Sequence, residues 1–247
     1  MAKKPKVAFF DFAGCEGDQL QIANLEERLI DLLEHLDVVS FREVSSRKGD
    51  NYEIAFVEGS ITRKEDEDRL KAIRAQAKLL VALGSCACIG GINCLKNFLA
   101  ENVYREEVYG PHARWYPTYA ARPLSAVVKV DAEIHGCPID ANDFARQVKD
   151  LLLGKMPMNP DYPVCVDCKK AGNVCRYDLG KPCLGIITRA GCGAVCVTEG
   201  AHCWGCRGLS PHANLDAARL VMDRAGFGRK EVQNLLRFFM GHTAATL

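Results

Sequence analysis

Eight cysteines, Cys165, Cys168, Cys175, Cys183, Cys192, Cys196, Cys203 and Cys206, fall within 42 residues as two successive groups of four. "CVDCKKAGNVCRYDLGKPC" opens on a Cys-x-x-Cys pair and "CGAVCVTEGAHCWGC" closes on one. A four-iron, four-sulfur core takes four thiolates, so two groups of four suit two such cores. Sequential assignment gives the first four thiols to one core and the last four to the other. Ligands are exchanged between cores in two-cluster ferredoxins, and here Cys183 and Cys192 are the candidates for a swap. Four-cysteine zinc uses the same ligand at similar spacing and is the competing reading. His202, beside Cys203, is read as a neighbour of the thiols or a surface residue rather than a ligand.

The other five cysteines are Cys15, Cys86, Cys88, Cys94 and Cys137. Three of them, Cys15, Cys86 and Cys137, each follow an apolar run that reads as a strand: "KVAFFDF", "KLLVALG" and the end of "SAVVKVDAEI". In an open parallel sheet the carboxyl edge of the strands is where ligands bind, so three thiols remote in sequence are expected to converge there. Gly84, Gly90 and Gly91 in "LGSCACIGG" and Gly136 in "HGCPI" would let a bulky ligand approach the backbone. A cubane needs a fourth donor, and Asp18 in "GCEGD" stands where a second thiol of a Cys-x-x-Cys pair would stand. It is either that donor, harder than sulfur, or the N-cap of the following helix. Cys88 is open to two readings, packing or an alternative ligand; Cys94 reads as a small buried hydrophobe.

The elements that must carry these donors are legible in the hydrophobic periods. "KVAFFDF", "DVVSFREV", "EIAFVEG", "KLLVALG" and "SAVVKVDAEI" read as strands. Leu20, Leu25, Leu29, Leu32, Leu33 and Leu36 recur at helical spacing, and "EDEDRLKAIRAQA" and "DANDFARQVKDLLLG" read as helices. Strands alternating with helices predict an α/β fold, a parallel sheet covered on both faces. "GKMPMNPDYP", with one Gly and three Pro, divides residues 1–155 from residues 156–247. The second part shows neither period around its cysteines, so metal rather than an apolar core is expected to organise it. "NLDAARLVMDRAG" and "RKEVQNLLRFFM" close it with two helices.

Composition narrows the function classes. Lys plus Arg is 32 against 31 Asp plus Glu, with a net charge of +1, which predicts no nucleic-acid partner. The small basic groups Lys3, Lys4, Lys6 and Arg47, Lys48 read as solvated surface. No export signal and no apolar run of membrane-spanning length are read, so a cytoplasmic protein without a membrane partner is expected. Thirteen cysteines in that compartment imply metal or redox chemistry rather than disulfides.

Taken together, "GCEGD", "LGSCACIGGI", "ARPLSAVVKVDAEIHGCPI", "CLGIITRAGCGAVC" and "CWGCRG" resemble the small subunits of nickel-iron hydrogenases. The resemblance is to the soluble cytoplasmic branch typified by sulfhydrogenase delta and methyl-viologen-reducing hydrogenase small subunits. It runs from about residue 6 to residue 208. It implies a flavodoxin-like domain holding a proximal 4Fe-4S cluster through Cys15, Cys86 and Cys137. The family usually has Cys where this chain has Asp18, so the fourth ligand is in question. It further implies a medial cluster on Cys192, Cys196, Cys203 and Cys206 and a distal one on Cys165, Cys168, Cys175 and Cys183. Implied partners are a large subunit with the nickel-iron site and a diaphorase or other electron-acceptor subunit, with linkage to NAD(P). This chain would have no catalytic residue of its own and would conduct electrons. The competing functions are a zinc-stabilised interaction module and a quinone-linked respiratory complex subunit. "YREEVYGPHARWYPTYAARP", rich in aromatic residues, reads either as a partner surface or as a loop packed on its own domain.

Overall fold

In the computed structural model, which describes residues 4–244, the first part is a parallel sheet. Strand β1 (Lys6–Asp11) leads into two short helices, α1 (Gly17–Ala23) and α2 (Glu27–Leu33), then β2 (Asp37–Ser40). Next come β3 (Ile54–Glu58), α3 (Lys64–Gln76), β4 (Leu79–Leu83), α4 (Gly84–Ile89), α5 (Glu101–Tyr109), β5 (Ala132–Ile134) and α6 (Ala141–Leu152). The sheet order is β2-β1-β3-β4-β5, all parallel, which is the flavodoxin-like arrangement.

Both faces of the sheet are buried, as parallel strands require. Val7, Phe9, Phe56, Val81 and Ile134 face α1 and α6, meeting Ile22, Phe144 and Val148. Ala8, Ala55, Val57, Leu80 and Ala82 face the other way, onto Leu70 and Ile73 of α3. Burying each large apolar side chain of this kind contributes about 1.5–3 kcal/mol. The sheet is therefore a rigid frame for the loops at its carboxyl edge.

Three elements differ from the periodic reading. The leucine stretch is two helices, because Glu26 adopts φ 54° and breaks the run; Leu20 and Leu33 are left exposed. "DVVSFREV" is a strand only to Ser40, after which the chain turns. "SAVVKVDAEI" contributes only Ala132–Ile134, because Leu124–Ala126 wind into a 3-10 turn capping the α3 face of the sheet. The helix at 141–152 begins as expected, with Asp140 accepting a hydrogen bond from the Asp143 N–H at 2.8 Å. Of the basic groups, Lys4 and Lys48 are exposed and Arg47 pairs with Asp37 at 2.8 Å, whereas Lys3 lies outside the described residues.

The second part contains α7 (Val164–Lys170), α8 (Val195–Thr198), α9 (Leu215–Arg224) and α10 (Arg229–Ala244), with turns between them. Its apolar cluster of Leu184, Ile187, Met222, Leu236 and Met240 is built mainly from the last two helices. Helix α10 then reaches back to residues 91–98 of the first part, where Gly241 permits close approach to Cys94 and Phe98. Among the described residues no helix is long and apolar enough to cross a membrane.

Candidate metal centre

The carboxyl edge of the sheet gathers the first set of donors at the β1/β3 switch point and beside it. Cys15 lies in the loop after β1, Cys86 in the first turn of α4 after β4, and Cys137 just past β5. Backbone bonds hold the loops together: the Ser85 N–H donates to the Gly136 carbonyl at 2.6 Å, and the Ala13 and Ser60 backbones pair at 3.2 and 2.8 Å. Burial, reinforced by the neighbouring Cys137, Asp18 and Cys15, pushes the Cys86 thiol up to about 12. Burial and then Asp18 and Cys15 push Cys137 up to about 11. Several acidic donors thus face one another, with Asp18 buried, Cys86 partly buried and Cys15 and Cys137 at the open rim, an arrangement that is unfavourable as anions until a cationic core offsets them. Asn93 adds a donor to the set, its amide 3.8 Å from the Cys86 sulfur.

Asp18 does not cap the helix. It is the second residue of α1, and its carboxylate instead accepts from the Ile139 N–H at 2.8 Å, reaching the loop that carries Cys137. Glu58 takes the capping role from outside the helix, accepting from the Asp18 and Gln19 N–H groups at 3.4 and 3.0 Å. Asp18 is 7 % exposed, and burial together with the Glu58 charge raises its carboxyl to about 7. Gly84, at φ +77°, makes room for it: a Cβ there would lie 2.7 Å from Asp18 Oδ1 and nearer still to Oδ2.

Glu58 was not singled out by the spacing of ligand-type residues. It is 2 % exposed, ends a strand whose every residue is buried, and stands at the switch point facing the thiols. A lone acid closing an otherwise apolar strand run, immediately before Gly59, is the signal that marks it. Cys88, in contrast, faces away from the set. Its thiol lies 3.6 Å from the carbonyls of both Ala82 and Ile134, within the core on the α3 side. Cys94 is fully buried and donates to the Ala121 carbonyl at 3.3 Å, as a packing residue would.

The eight later cysteines separate into two neighbourhoods. Cys165, Cys168, Cys175 and Cys183 surround one position, each of the last three bearing electrostatically on Cys165. Gly185 leaves that space open: a Cβ there would lie 3.4 Å from the Cys165 sulfur and 3.5 Å from that of Cys183. Cys192, Cys196, Cys203 and Cys206 line a second cavity of about 80 Å³, together with Cys137 and Arg207. Burial, then the Cys192, Cys137 and Cys196 thiols, push Cys206 up to about 12. The three sets adjoin one another. Cys137 belongs to the edge set and lines the second cavity, the Ser85 hydroxyl donates to the Cys206 carbonyl, and the Cys203 N–H donates to the Cys183 sulfur at 3.3 Å.

The donor chemistry and the open spaces fit four-iron cores bound by thiolates. Among the described residues, no group of three or more His, Cys, Asp or Glu is gathered tightly enough to hold a single metal ion; a multi-iron core is wider and is met by donors further apart. His202 packs at a tilt against Trp204, with ring centroids 4.0 Å apart. The aromatic loop divides. Tyr119 donates to the Arg63 carbonyl and Glu67 at 2.7 Å, holding one end to its own domain, while Trp115 and Tyr116 stay exposed on a cleft beside Phe12 and Ala13.

Comparison with known proteins places this arrangement. Residues 15–151, more than half of the chain, match the family described as NADH ubiquinone oxidoreductase, 20 Kd subunit. Sulfhydrogenase 2 subunit delta of Pyrococcus furiosus is 33 % identical over 85 % of this chain and 89 % of its own length. A vhu subunit of the F420-non-reducing hydrogenase of Methanococcus voltae is 30 % identical, with 84 % of this chain and 83 % of that one covered. Among solved structures, a chain of an NAD+-reducing NiFe hydrogenase in the H2-reduced state superimposes with a TM-score of 0.57 at 26 % identity, covering 64 % of this chain and 96 % of that one.

Proposed function

The chain belongs to the 20 kDa subunit family, within its nickel-iron hydrogenase small subunits, and from that premise we propose that it conducts electrons through three 4Fe-4S clusters between a hydrogenase large subunit and an acceptor subunit. The observation that carries this reading is the continuity of the donor sets. Cys137 is common to the edge set and the cavity of the medial set, and the Cys203 N–H meets Cys183 of the distal set. A zinc module has no use for a row of adjoining sites, whereas a conductor needs one.

The clusters would supply one-electron chemistry, and everything else is the work of the chain. Cys15, Cys86, Cys137 and Asp18 would hold the proximal cluster; Cys192, Cys196, Cys203 and Cys206 the medial; Cys165, Cys168, Cys175 and Cys183 the distal. The buried sheet fixes the proximal loops, and the Ser85–Cys206 and Ser85–Gly136 bonds hold the next loops against them. Each set has an exposed thiol, Cys15 and Cys137 in the proximal, Cys196 in the medial and Cys175 in the distal, and electrons would enter and leave where partner chains cover the two outer sets. A large subunit covering Cys15 would also meet the exposed Trp115 and Tyr116. A diaphorase-type acceptor partner accords with the NAD+-reducing relative, whose match spans 64 % of this chain and locates no partner on it.

The quinone-linked reading draws on the description of the matched family, but that match ends at residue 151 and leaves the eight later cysteines unexplained. Iron and acid-labile sulfide analysis of this chain, purified anaerobically, tests the proposal. Iron and sulfide sufficient for three cubanes are expected. Zinc without iron would sink it, and iron for only one cluster would favour the quinone-linked reading.

A further inference from the structure

Arg207 is buried at 1 % exposure, next to Cys206, and no ligand motif accounts for it. Its guanidinium meets three separate segments. Nε donates to the Ala190 carbonyl at 2.8 Å, Nη1 donates to the His135 carbonyl, and Nη2 donates to Asp143 Oδ2 at 3.0 Å. Ala190 lies two residues before Cys192, and His135 two residues before Cys137. One planar cation therefore spans the loop carrying a proximal ligand, the loop opening the medial set, and its own position beside the last medial ligand. Gly191 is shaped to admit it, since a Cβ there would lie 2.5 Å from Nη2 and 3.0 Å from Cζ.

The charge is aimed as well as buried. Among the described residues, Arg207 is the one charged side chain lining the cavity of Cys192, Cys196, Cys203, Cys206 and Cys137. A core bound by four thiolates is net negative and gains a further negative charge on reduction. A cation at its wall stabilises the reduced form more than the oxidised form, and net charge and hydrogen bonding are what set cluster potentials. Asp143 opposes this effect. It is 7 % exposed, and although burial acts to raise its carboxyl, Arg146 at 2.6 Å and Arg207 hold it below the usual carboxylate range.

We propose that Arg207 is a positioning and potential-setting residue for the medial cluster, clamping the proximal and medial ligand loops together while its charge raises the medial midpoint potential against the opposing charge of Asp143. The inference rests on the cluster reading above. Charge sign makes the electrostatic part testable apart from any structural role, since a mere packing residue gives no reason for opposite shifts on removing the cation and its counter-charge. A lysine would keep the charge but lose the three-way fork, which a single ammonium cannot reproduce.

The experiment is an EPR-monitored redox titration of the whole anaerobically purified complex, wild type against Arg207→Gln, Arg207→Lys and Asp143→Asn, with iron and sulfide measured on each. Arg207→Gln is expected to lower the medial midpoint by a tenfold or greater change in the reduction equilibrium, ~59 mV for one electron. Arg207→Lys is expected to remain nearer the wild type. Asp143→Asn is expected to shift the midpoint upward. If Arg207→Gln fails to load the medial cluster, Asp143→Asn and Arg207→Lys decide the matter. An unchanged or lowered midpoint in Asp143→Asn, or a fully loaded Arg207→Gln with wild-type potential, overturns the inference. Wild-type complex without iron instead overturns the cluster reading on which it rests.

Discussion

Gly84 offers a direct handle on the proximal site because the space it leaves is filled by Asp18. Substituting Gly84→Ala places a methyl group 2.7 Å from Asp18 Oδ1 and closer to Oδ2, at a residue whose φ is +77°. The left-handed backbone costs a non-glycine residue about 1–2 kcal/mol. Overpacking of a filled site typically adds about 1–3 kcal/mol. The total is about 2–5 kcal/mol, and Asp18 can relieve the second part only by leaving its place over Gly84 and its bond to the Ile139 N–H. Gly154 is the control: it has φ +70° and nothing within 4 Å of a built Cβ, so Gly154→Ala incurs the backbone cost alone. The assay is EPR of the reduced complex together with thermal unfolding of the same preparations. Gly84→Ala is expected to lose or alter the proximal signal, keep the medial and distal signals, and melt earlier than Gly154→Ala. At about 2–4 °C per kcal/mol for a chain of this size, the gap between the two variants is a few degrees or more. A Gly84→Ala complex with the wild-type proximal spectrum and the melting behaviour of Gly154→Ala would refute the placement of Asp18 at the site.

Asp18→Ala is expected to disturb the proximal spectrum and Cys88→Ala to leave it unchanged, because Cys88 faces the Ala82 and Ile134 carbonyls; the reverse result by EPR would make Cys88 the fourth ligand. Before cluster insertion, the raised Asp18 carboxyl makes the chain less stable as pH rises from about 4 to 7: its favourable contribution is complete below its unfolded value of 3.8 and is lost as pH passes its folded value of about 7. The span corresponds to at most about 4 kcal/mol, so denaturant unfolding of the cluster-free chain should show a falling stability over that range that Asp18→Asn makes shallower, the remainder coming from Glu58, whose carboxyl burial also raises. Single Cys→Ala changes at Cys165, Cys168, Cys175 or Cys183 should eliminate one and the same EPR signal, while changes at Cys192, Cys196, Cys203 or Cys206 eliminate another; mixed losses would redraw the grouping. Gly185→Val, which fills the space before the Cys165 and Cys183 sulfurs, should remove the first of these signals without touching the proximal one, as iron content and EPR would show.

What ligand chemistry this chain could offer was written in residue type and spacing. Cys-x-x-Cys pairs, glycine-rich turns after apolar runs and Asp18 at a thiol's usual place are local features, and so is the alternation of strands and helices that predicts the parallel sheet. These signals survive without tertiary structure because each depends on neighbours a few residues away. Which donors face which space is a different matter, since Cys15, Cys86 and Cys137 meet only because β1, β4 and β5 share one sheet in a particular order. The same long-range packing turned Cys88 into the core two residues from a ligand position, gave the capping of α1 to Glu58 in place of Asp18, and broke the leucine helix at Glu26. Arg207 stands inside "CWGCRG", but its role was illegible for the same reason. His135, Asp143 and Ala190, which close around its guanidinium, are drawn from residues 17 to 72 positions away.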